Sequence, residues 1–491
     1  MISRSFLKSS LVYTVIGALP LASSLILLPF YANYLSTSDY GIFCLFVGFT
    51  ALVQILANIA IDHYLVYHYY DSQDNHEKVK RLVGTSVGIL LVWGIIITLI
   101  FSILGPQLFN FYTTHLTKEQ AHISFFPFGF FCILTAFFNS FFKTCTSLLI
   151  AQQKPVQFFW FNVSNFILTI GISLGGLYLF PYSLTGPMYG RLLSGVVIFI
   201  IALISFLVHF GFVFDKSLLK SIYKYCYPLF FNFNVLWIIA YLSVFIINYY
   251  VSTDDVAIYN FIISATLLIE FMQSGLTSAI YPKVFTLWTR EKSNSNSPEV
   301  NIYFNAYTGI TLLVVPLFVF VIPLIVPLVV KNKSFYYGFT FLLLISVGFT
   351  FRGIQNMYYS SILYLKKTKK IAKINLYTLI FQIIVSTVLI MKFGLSGAFW
   401  AFLLVKPFQT LVYYFETKKM FRYNMNYKKQ MIVPFVYTAF ALVLFPFYFK
   451  YNIHVLNFIQ LVFMWSITFL VYKNEIINFY KTLIQKNFSL K

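Results

Sequence analysis

Five ionisable side chains stand inside long apolar runs of the chain: Lys143, Arg191, Arg352, Lys406 and Glu270. Four are cations and one is an acid, so the chemistry they offer together is attraction of an anion. A charge at the bilayer centre costs roughly 2.5–3.5 kcal/mol even on lenient insertion scales, so each is expected to face protein or water. Spacing gives them polar neighbours. Arg352 shares a helical face with Gln355, Asn356 and Tyr359, Glu270 with Gln273, Ser274 and Thr277, and Lys143 with Asn139, Thr146 and Ser147. Such faces suit a water-filled cleft where Arg and Lys draw a pyrophosphate or an acidic sugar. Pairing within each helix bundle is the alternative, as is snorkelling to the interface for Arg191 and Lys143. Glu270, the only Asp or Glu deep in a run, is expected either to couple proton or sodium movement or to form a static ion pair. Arg352 or Lys406 would be its partner.

Motifs for covalent chemistry are missing. No phosphate-binding Gly-rich loop or metal-type His/Cys cluster occurs in the sequence, and its two G-x-S-x-G matches, Gly84–Gly88 and Gly171–Gly175, lie inside apolar runs without the strand that a nucleophile elbow follows, so neither catalysis nor a cofactor or metal is expected. His115 and His122 read as interfacial residues. Cys44, Cys132, Cys145 and Cys226 lie in or beside apolar runs and read as small core hydrophobes.

The elements that must position these groups follow from composition. Of 491 residues 59% are hydrophobic and 10% charged, with a mean hydropathy of +0.79, whereas soluble domains carry about 25% charged residues. This is the composition of an integral membrane protein, and it excludes disorder, a disulfide scaffold and a soluble enzyme on a single anchor. Apolar runs predict spans at 10–35, 40–62, 83–105, 122–150, 157–180, 187–212, 225–251, 256–282, 302–330, 335–365, 371–392, 395–415, 430–449 and 452–473. The expected fold is therefore all-α, with about 14 transmembrane helices. The net charge of +21 would raise the question of nucleic acid in a soluble protein. Here the cations collect in alternate loops: only Lys118, Lys331, Lys333, Lys392 and Lys450 fall on the opposite side. That asymmetry places both termini in the cytoplasm of a bacterial-type membrane and leaves no role for nucleic acid.

The chain also resembles itself. Ser36-Thr37-Ser38-Asp39-Tyr40-Gly41-Ile42-Phe43 matches Ser252-Thr253-Asp254-Asp255-Val256-Ala257-Ile258-Tyr259 at an offset of 216. Gln153-Lys154 stands opposite Lys366-Lys367 at an offset of 213, and Leu184-Thr185-Gly186 opposite Leu395-Ser396-Gly397 at 211. Three anchors in one order predict two parallel six-helix bundles, residues 1–215 and 216–418, with two further helices and a tail over 419–491. The repeat sets Gln54 and Asn58 against Glu270 and Ser274, and Asn139 and Lys143 against Arg352 and Asn356. Both polar stripes are thus expected to line one cavity. Asp39, Asp62 and Asp255, at span ends, read as caps or turns.

Residues Leu28-Pro29-Phe30-Tyr31-Ala32-Asn33-Tyr34-Leu35, running on through Ser36–Phe43, resemble the N-terminal signature of the polysaccharide biosynthesis flippases. These export O-antigen, capsule or related repeat units and belong to the multidrug/oligosaccharidyl-lipid/polysaccharide exporter superfamily. Further similarity runs through Tyr227-Pro228, Val256-Ala257-Ile258-Tyr259, Tyr281-Pro282-Lys283, Tyr364-Leu365-Lys366-Lys367-Thr368 and Phe393-Gly394-Leu395-Ser396-Gly397-Ala398. The resemblance implies two lobes in a V around a cationic cavity, plus two C-terminal helices. It implies alternating access for an undecaprenyl-pyrophosphate-linked oligosaccharide, with membrane lipid, a glycan polymerase and chain-length proteins as partners. Relatives that flip the peptidoglycan lipid precursor carry an Arg-Asp pair in the first span; this chain has no charge between Leu11 and Thr37, which disfavours that substrate. A polymerase or acyltransferase of envelope glycan synthesis, or a drug or small-solute exporter of the same fold, are the competing readings.

Overall fold

The computed structural model describes residues 16–488 apart from 18, 73, 114–122, 212, 291–297 and 421–425, so His115 and His122 lie outside the described residues. In hydrocarbon a backbone must satisfy its own N–H and C=O groups, and apolar runs of this length do so as helices. In chain order they are α1 (Leu19–Tyr34), α2 (Thr37–Asn58), α3 (Ile61–Ser72), α4 (His76–Thr113), α5 (Phe128–Ala151), α6 (Pro155–Leu179), α7 (Thr185–Phe210) and α8 (Leu219–Tyr250). There follow α9 (Thr253–Ala265), α10 (Leu267–Arg290), α11 (Pro298–Val329), α12 (Leu342–Tyr364), α13 (Thr368–Met420), α14 (Tyr427–Leu444) and α15 (Ile453–Phe488). No strand occurs among the described residues. Twelve helical segments there are long and apolar enough to cross a membrane. One of these, α13, is two helices joined at Gly394 (φ 58°), and α1 adds a further apolar helix of 16 residues, which gives the expected fourteen.

The chain divides into two compact units, residues 1–260 and 261–491. Within the first unit α8 packs on α2 and α3. Trp237 Nε1 donates to the Gly48 carbonyl at 2.9 Å, and Cys226 Sγ to that of Ala60 at 3.7 Å. All four cysteines are free and buried, as expected of core residues. A short turn leads into α8, where Asp215 accepts from the hydroxyl and the backbone N–H of Ser217. These two bonds, the hydroxyl first, hold its carboxyl below the ordinary carboxylate range. In the second unit α12 is enclosed by α11, α13 and α14. Buried hydrogen bonds join Ser346, Tyr437 and Gln460, and Asn457 bridges Tyr448 Oη and the Val319 carbonyl at 2.6 and 3.1 Å.

The internal repeat is visible in backbone geometry. Ser36 Oγ accepts from the Asp39 N–H at 3.0 Å and donates to Asp39 Oδ2 at 2.6 Å; Ser252 and Asp255 repeat this at 3.0 and 2.7 Å. In each pair the serine hydroxyl caps the start of a helix and the aspartate three residues on accepts from that hydroxyl, so Asp39 and Asp255 belong to helix starts as expected. At the ends of α5 and α12, Gln153 (φ 54°) and Lys366 (φ 56°) take the same left-handed conformation. Lys154 N donates to the Leu149 carbonyl and Lys367 N to that of Ile362, again 213 residues apart. Tyr182 and Gly394, both at φ 58°, turn the chain before Gly186 and Gly397. A Cβ on Gly186 would stand 2.5 Å from the Gly176 carbonyl carbon, and one on Gly397 2.1 Å from the Leu389 carbonyl oxygen. Both hairpins therefore close at a glycine.

Candidate functional site

In the first unit the site is built on a break in a helix. Residues 40–62 read as one span, but α2 stops at Asn58, Ile59 (φ 42°) and Ala60 (φ 61°) are left-handed, and α3 starts anew. Neither residue is glycine, so each conformation costs about 1–2 kcal/mol. Neighbouring helices hold the break in place: Asn58 Nδ2 donates to Thr144 Oγ1 at 3.3 Å and reaches the Ser140 carbonyl at 3.5 Å, while Cys226 bonds Ala60. Asn58, expected to line a cavity, is buried, and its amide joins α2 to α5.

Asp62 lies in the first turn of α3, with its side chain 3% exposed. Its Oδ2 is 3.2 Å from Lys143 Nζ on α5 and 3.6 Å from His63 Nε2; its Oδ1 is buried with no hydrogen-bond partner. Lys143 is 43% exposed, with its ammonium 5.3 Å from the centre of the Phe233 ring. Acid and base therefore differ sharply in access to solvent. Gln54, one turn before Asn58, and Asn139, one turn before Lys143, are half-buried. Arg191 on α7 stands 5.8 Å from the centre of the Phe43 ring and makes no ion pair among the described residues.

In the second unit Arg352 Nη1 is 2.7 Å from Glu270 Oε1. Of the two partners open to Glu270, the structure selects Arg352. The acid is the more exposed member, 38% against 24%, and the guanidinium Nη1 has no well-aligned acceptor. Buried Gln273 donates to the Phe349 carbonyl at 2.8 Å, whereas its own Oε1, Thr311 Oγ1 and Gln355 Oε1 are buried without partners. Gly353 permits this closeness, since a Cβ there would stand 2.9 Å from Thr311 Cγ2 and 3.4 Å from Gln273 Nε2. Asn356 Nδ2 donates to Tyr307 Oη at 3.2 Å, and Tyr281 Oη donates to the Asn356 carbonyl at 2.7 Å. Ser274 is exposed. Lys406, on the second arm of α13, has its ammonium 5.5 Å from the Phe402 ring centre. It feels both Arg352 and Glu270 yet pairs with neither.

Sequence-expected residues thus fall into two sets. Lys143 and Arg352 are neutralised by carboxylates; Arg191 and Lys406 are not. The unpaired cations lie on repeat-related helices, since the offset of 211 sets Arg191 against Phe402 and Gly195 against Lys406, one helical turn apart. What sequence reasoning missed is Asp62 as the partner of Lys143. Its repeat counterpart is Ser278, so self-comparison concealed it, although its place at the end of a polar stripe was the available signal. Among the described residues no group of three His, Cys, Asp or Glu could hold a metal ion.

The fold carrying this arrangement matches that of known transporters. Over 96% of this chain and 100% of the other, it is similar to a lipid II flippase MurJ in an inward-closed conformation, with a TM-score of 0.72 at 16% identity. It is also similar to a multidrug resistance MATE family transporter of the MOP superfamily. The inward-facing form matches with a TM-score of 0.66 at 15% identity, over 82% of this chain and 94% of that one. The outward-facing form matches with 0.60 at 14% identity, over 85% and 95%. A comparison with curated protein sequences finds no match. The sequence profile described as "Polysaccharide biosynthesis protein" matches residues 6–288, more than half of the chain. With a multi-pass helical fold of the flippase and exporter type beneath it, the chain belongs to the polysaccharide biosynthesis protein family.

Proposed function

We propose that this protein is a non-enzymatic flippase. Its cargo is an undecaprenyl-pyrophosphate-linked polysaccharide repeat unit, carried by alternating access across the bacterial cytoplasmic membrane, with both termini cytoplasmic. The observation that supports this most is the partition of cations. Of the four cations read inside the spans, each unit neutralises one and leaves one, Arg191 or Lys406, available to a cargo anion. The orphaned Gln273, Thr311 and Gln355 atoms beside Arg352 suit sugar hydroxyls, which both donate and accept. A cation-drug exporter would call for unpaired acids instead. Glu270, paired yet partly exposed, is the proposed coupling acid for a proton or sodium ion, and a glycan polymerase and chain-length proteins are the proposed partners.

Surface-polysaccharide export in cells tests the reading. Arg191→Ala with Lys406→Ala should abolish export at normal protein level, Arg352→Ala should reduce it, and Arg352→Lys should retain part of it. Undiminished export by the double variant would refute the reading. In vesicles, Glu270→Gln should remove stimulation by an ion gradient; unchanged stimulation would make the residue structural.

A further inference from the structure

The free face of α3 is unlike that of a helix bathed in lipid. Its exposed residues are His63, Tyr67, Tyr70 and Asp71, and none is aliphatic. On α4 the exposed residues include Val92, Ile95, Leu99 and Ile103, the surface that hydrocarbon requires. Ile61 and Leu65 of α3 are buried inside the unit instead. The free face therefore suits water and a solute that brings its own polar groups.

Aromatic rings run along this face in contact with one another. Tyr67, 59% exposed, lies 5.3 Å from Tyr225 of α8 at an interplanar angle of 34°, and 5.0 Å from His68, edge to face. His68 stands 5.8 Å from Tyr225 and 4.4 Å from the buried Tyr64. One turn back, His63 is 5.1 Å from Phe233, the ring that the Lys143 ammonium overlies. From His63 to Asp71 the helix rises about 12 Å, longer than one sugar ring. We propose that this strip is a sugar-binding platform, on which a pyranose of the cargo stacks its C–H face against Tyr67 while His63, His68 and Asp71 bond its hydroxyls. The inference rests on the glycan cargo proposed above and assigns its sugar portion to residues of one unit.

The chemistry follows from the residue types. An aromatic face is negative and the C–H face of a pyranose weakly positive, so the two attract as ring edges and ring faces do. Tyr67 has only two χ angles to fix, and Tyr225 and His68 already flank its ring, so stacking orders little that is free. Imidazole, phenol and carboxylate supply the donors and acceptors that hydroxyls need. His68 Nδ1 is 3.6 Å from Asp71 Oδ2, and the Asp71 side chain is open to solvent. Phe233 carries the strip back to Lys143, so charge and aromatic surface adjoin as phosphate and first sugar do in the proposed cargo.

The second unit has no such strip at the corresponding place. The offset of 216 sets His63, Tyr64, Tyr67 and His68 against Ala279, Ile280, Lys283 and Val284. Its neighbouring aromatics, Phe285, Trp288 and Tyr364, pack ring on ring, with Trp288 buried. Rings closed on one another hold helices together, whereas the rings on α3 keep a face open.

The full chain in nanodiscs tests this with two probes that differ by one sugar, farnesyl pyrophosphate and farnesyl-pyrophosphoryl-N-acetylglucosamine. Wild type should bind the sugar-bearing probe about tenfold more tightly, the return of one or two good aromatic contacts. Tyr67→Leu keeps apolar bulk but removes the ring, and should bring this ratio close to unity with the affinity for farnesyl pyrophosphate unchanged. Tyr67→Phe, which keeps the ring, should retain most of the ratio. Tyr223 is at least as exposed as Tyr67 but stands two residues from Tyr225, turned away from the strip, so Tyr223→Leu should keep the wild-type ratio. An undiminished ratio in Tyr67→Leu, an equal loss in Tyr223→Leu, or a wild-type ratio of unity overturns the platform. In each of these cases both probes still bind, and the pyrophosphate cargo stands. If wild type binds neither probe, the cargo reading falls and takes the platform with it.

Discussion

Asp62–Lys143 in the first unit and Glu270–Arg352 in the second join helices that the repeat relates, yet the two pairs expose opposite members. In the first unit the acid is sealed and the lysine open; in the second the arginine is the more enclosed and the glutamate the more open. The span carrying the acid is interrupted in both units, at the left-handed Ile59 and Ala60 just before Asp62 and at Thr266, one turn before Glu270, where no residue is left-handed. Duplication therefore preserved a cross-helix pair without preserving which charge is fixed. The fixed member decides what breaking the pair costs, and the open member decides what the pair can release. On this logic the first unit can release a cation and the second an anion.

Single-residue changes can break this contrast. The largest effect is expected for Lys143→Met, which leaves Asp62 buried and uncompensated and should cost about 3 kcal/mol or more at neutral pH. Acid should relieve much of that loss by neutralising the carboxyl. Asp62→Asn should cost well under that, about 1 kcal/mol at most, because the exposed ammonium is left in water. Unfolding of the detergent-solubilised protein measures both, and equal costs would remove the asymmetry. In the second unit Glu270→Gln and Arg352→Met should be nearly equal, each within about 1 kcal/mol, since both partners are partly solvated. A several-fold difference between them would mean the second pair is as one-sided as the first.

Where the copies share geometry, the effects should match. Ser36→Ala and Ser252→Ala each remove one serine cap and should each cost about 1 kcal/mol. A clear inequality would show that one cap is idle. The smallest change has the opposite sign: Gln153→Gly and Lys366→Gly should each stabilise by a few tenths of a kcal/mol up to about 1, as glycine tolerates the left-handed region. Loss of stability in either would mean that its side chain contributes more than its backbone costs.

Much of this was legible in the sequence, for definite reasons. Fourteen spans could be read because an apolar run long enough to cross a bilayer has few other fates. The cations could be read because charges are rare in such runs, and the serine caps because serine and aspartate stand three apart at both span starts. The break at Ile59-Ala60 was not legible: nothing in an Ile-Ala dipeptide marks a left-handed turn, and packing against α5 and α8 imposes it. Repeat counting assigns α8 by its place in the sequence, and says nothing of the bonds that its Trp237 and Cys226 make to α2 and to Ala60. Pairing was half legible, since Glu270 had two candidate cations and only coordinates separate Arg352 at 2.7 Å from Lys406.

The left-handed residues that end α5 and α12 carry a record of descent. Between the first anchor and the last, the offset shrinks from 216 through 213 to 211, so the second copy is five residues shorter over this stretch. The residue at the left-handed position is Gln153 in one copy and Lys366 in the other, and neither is the type that the conformation favours. At the next turn the occupants are Tyr182 and Gly394. Side chains at these positions and the lengths between them differ from copy to copy, while the reversal of the chain is common to both. In this lineage the turn was the inherited character, and the amino acid only its current occupant.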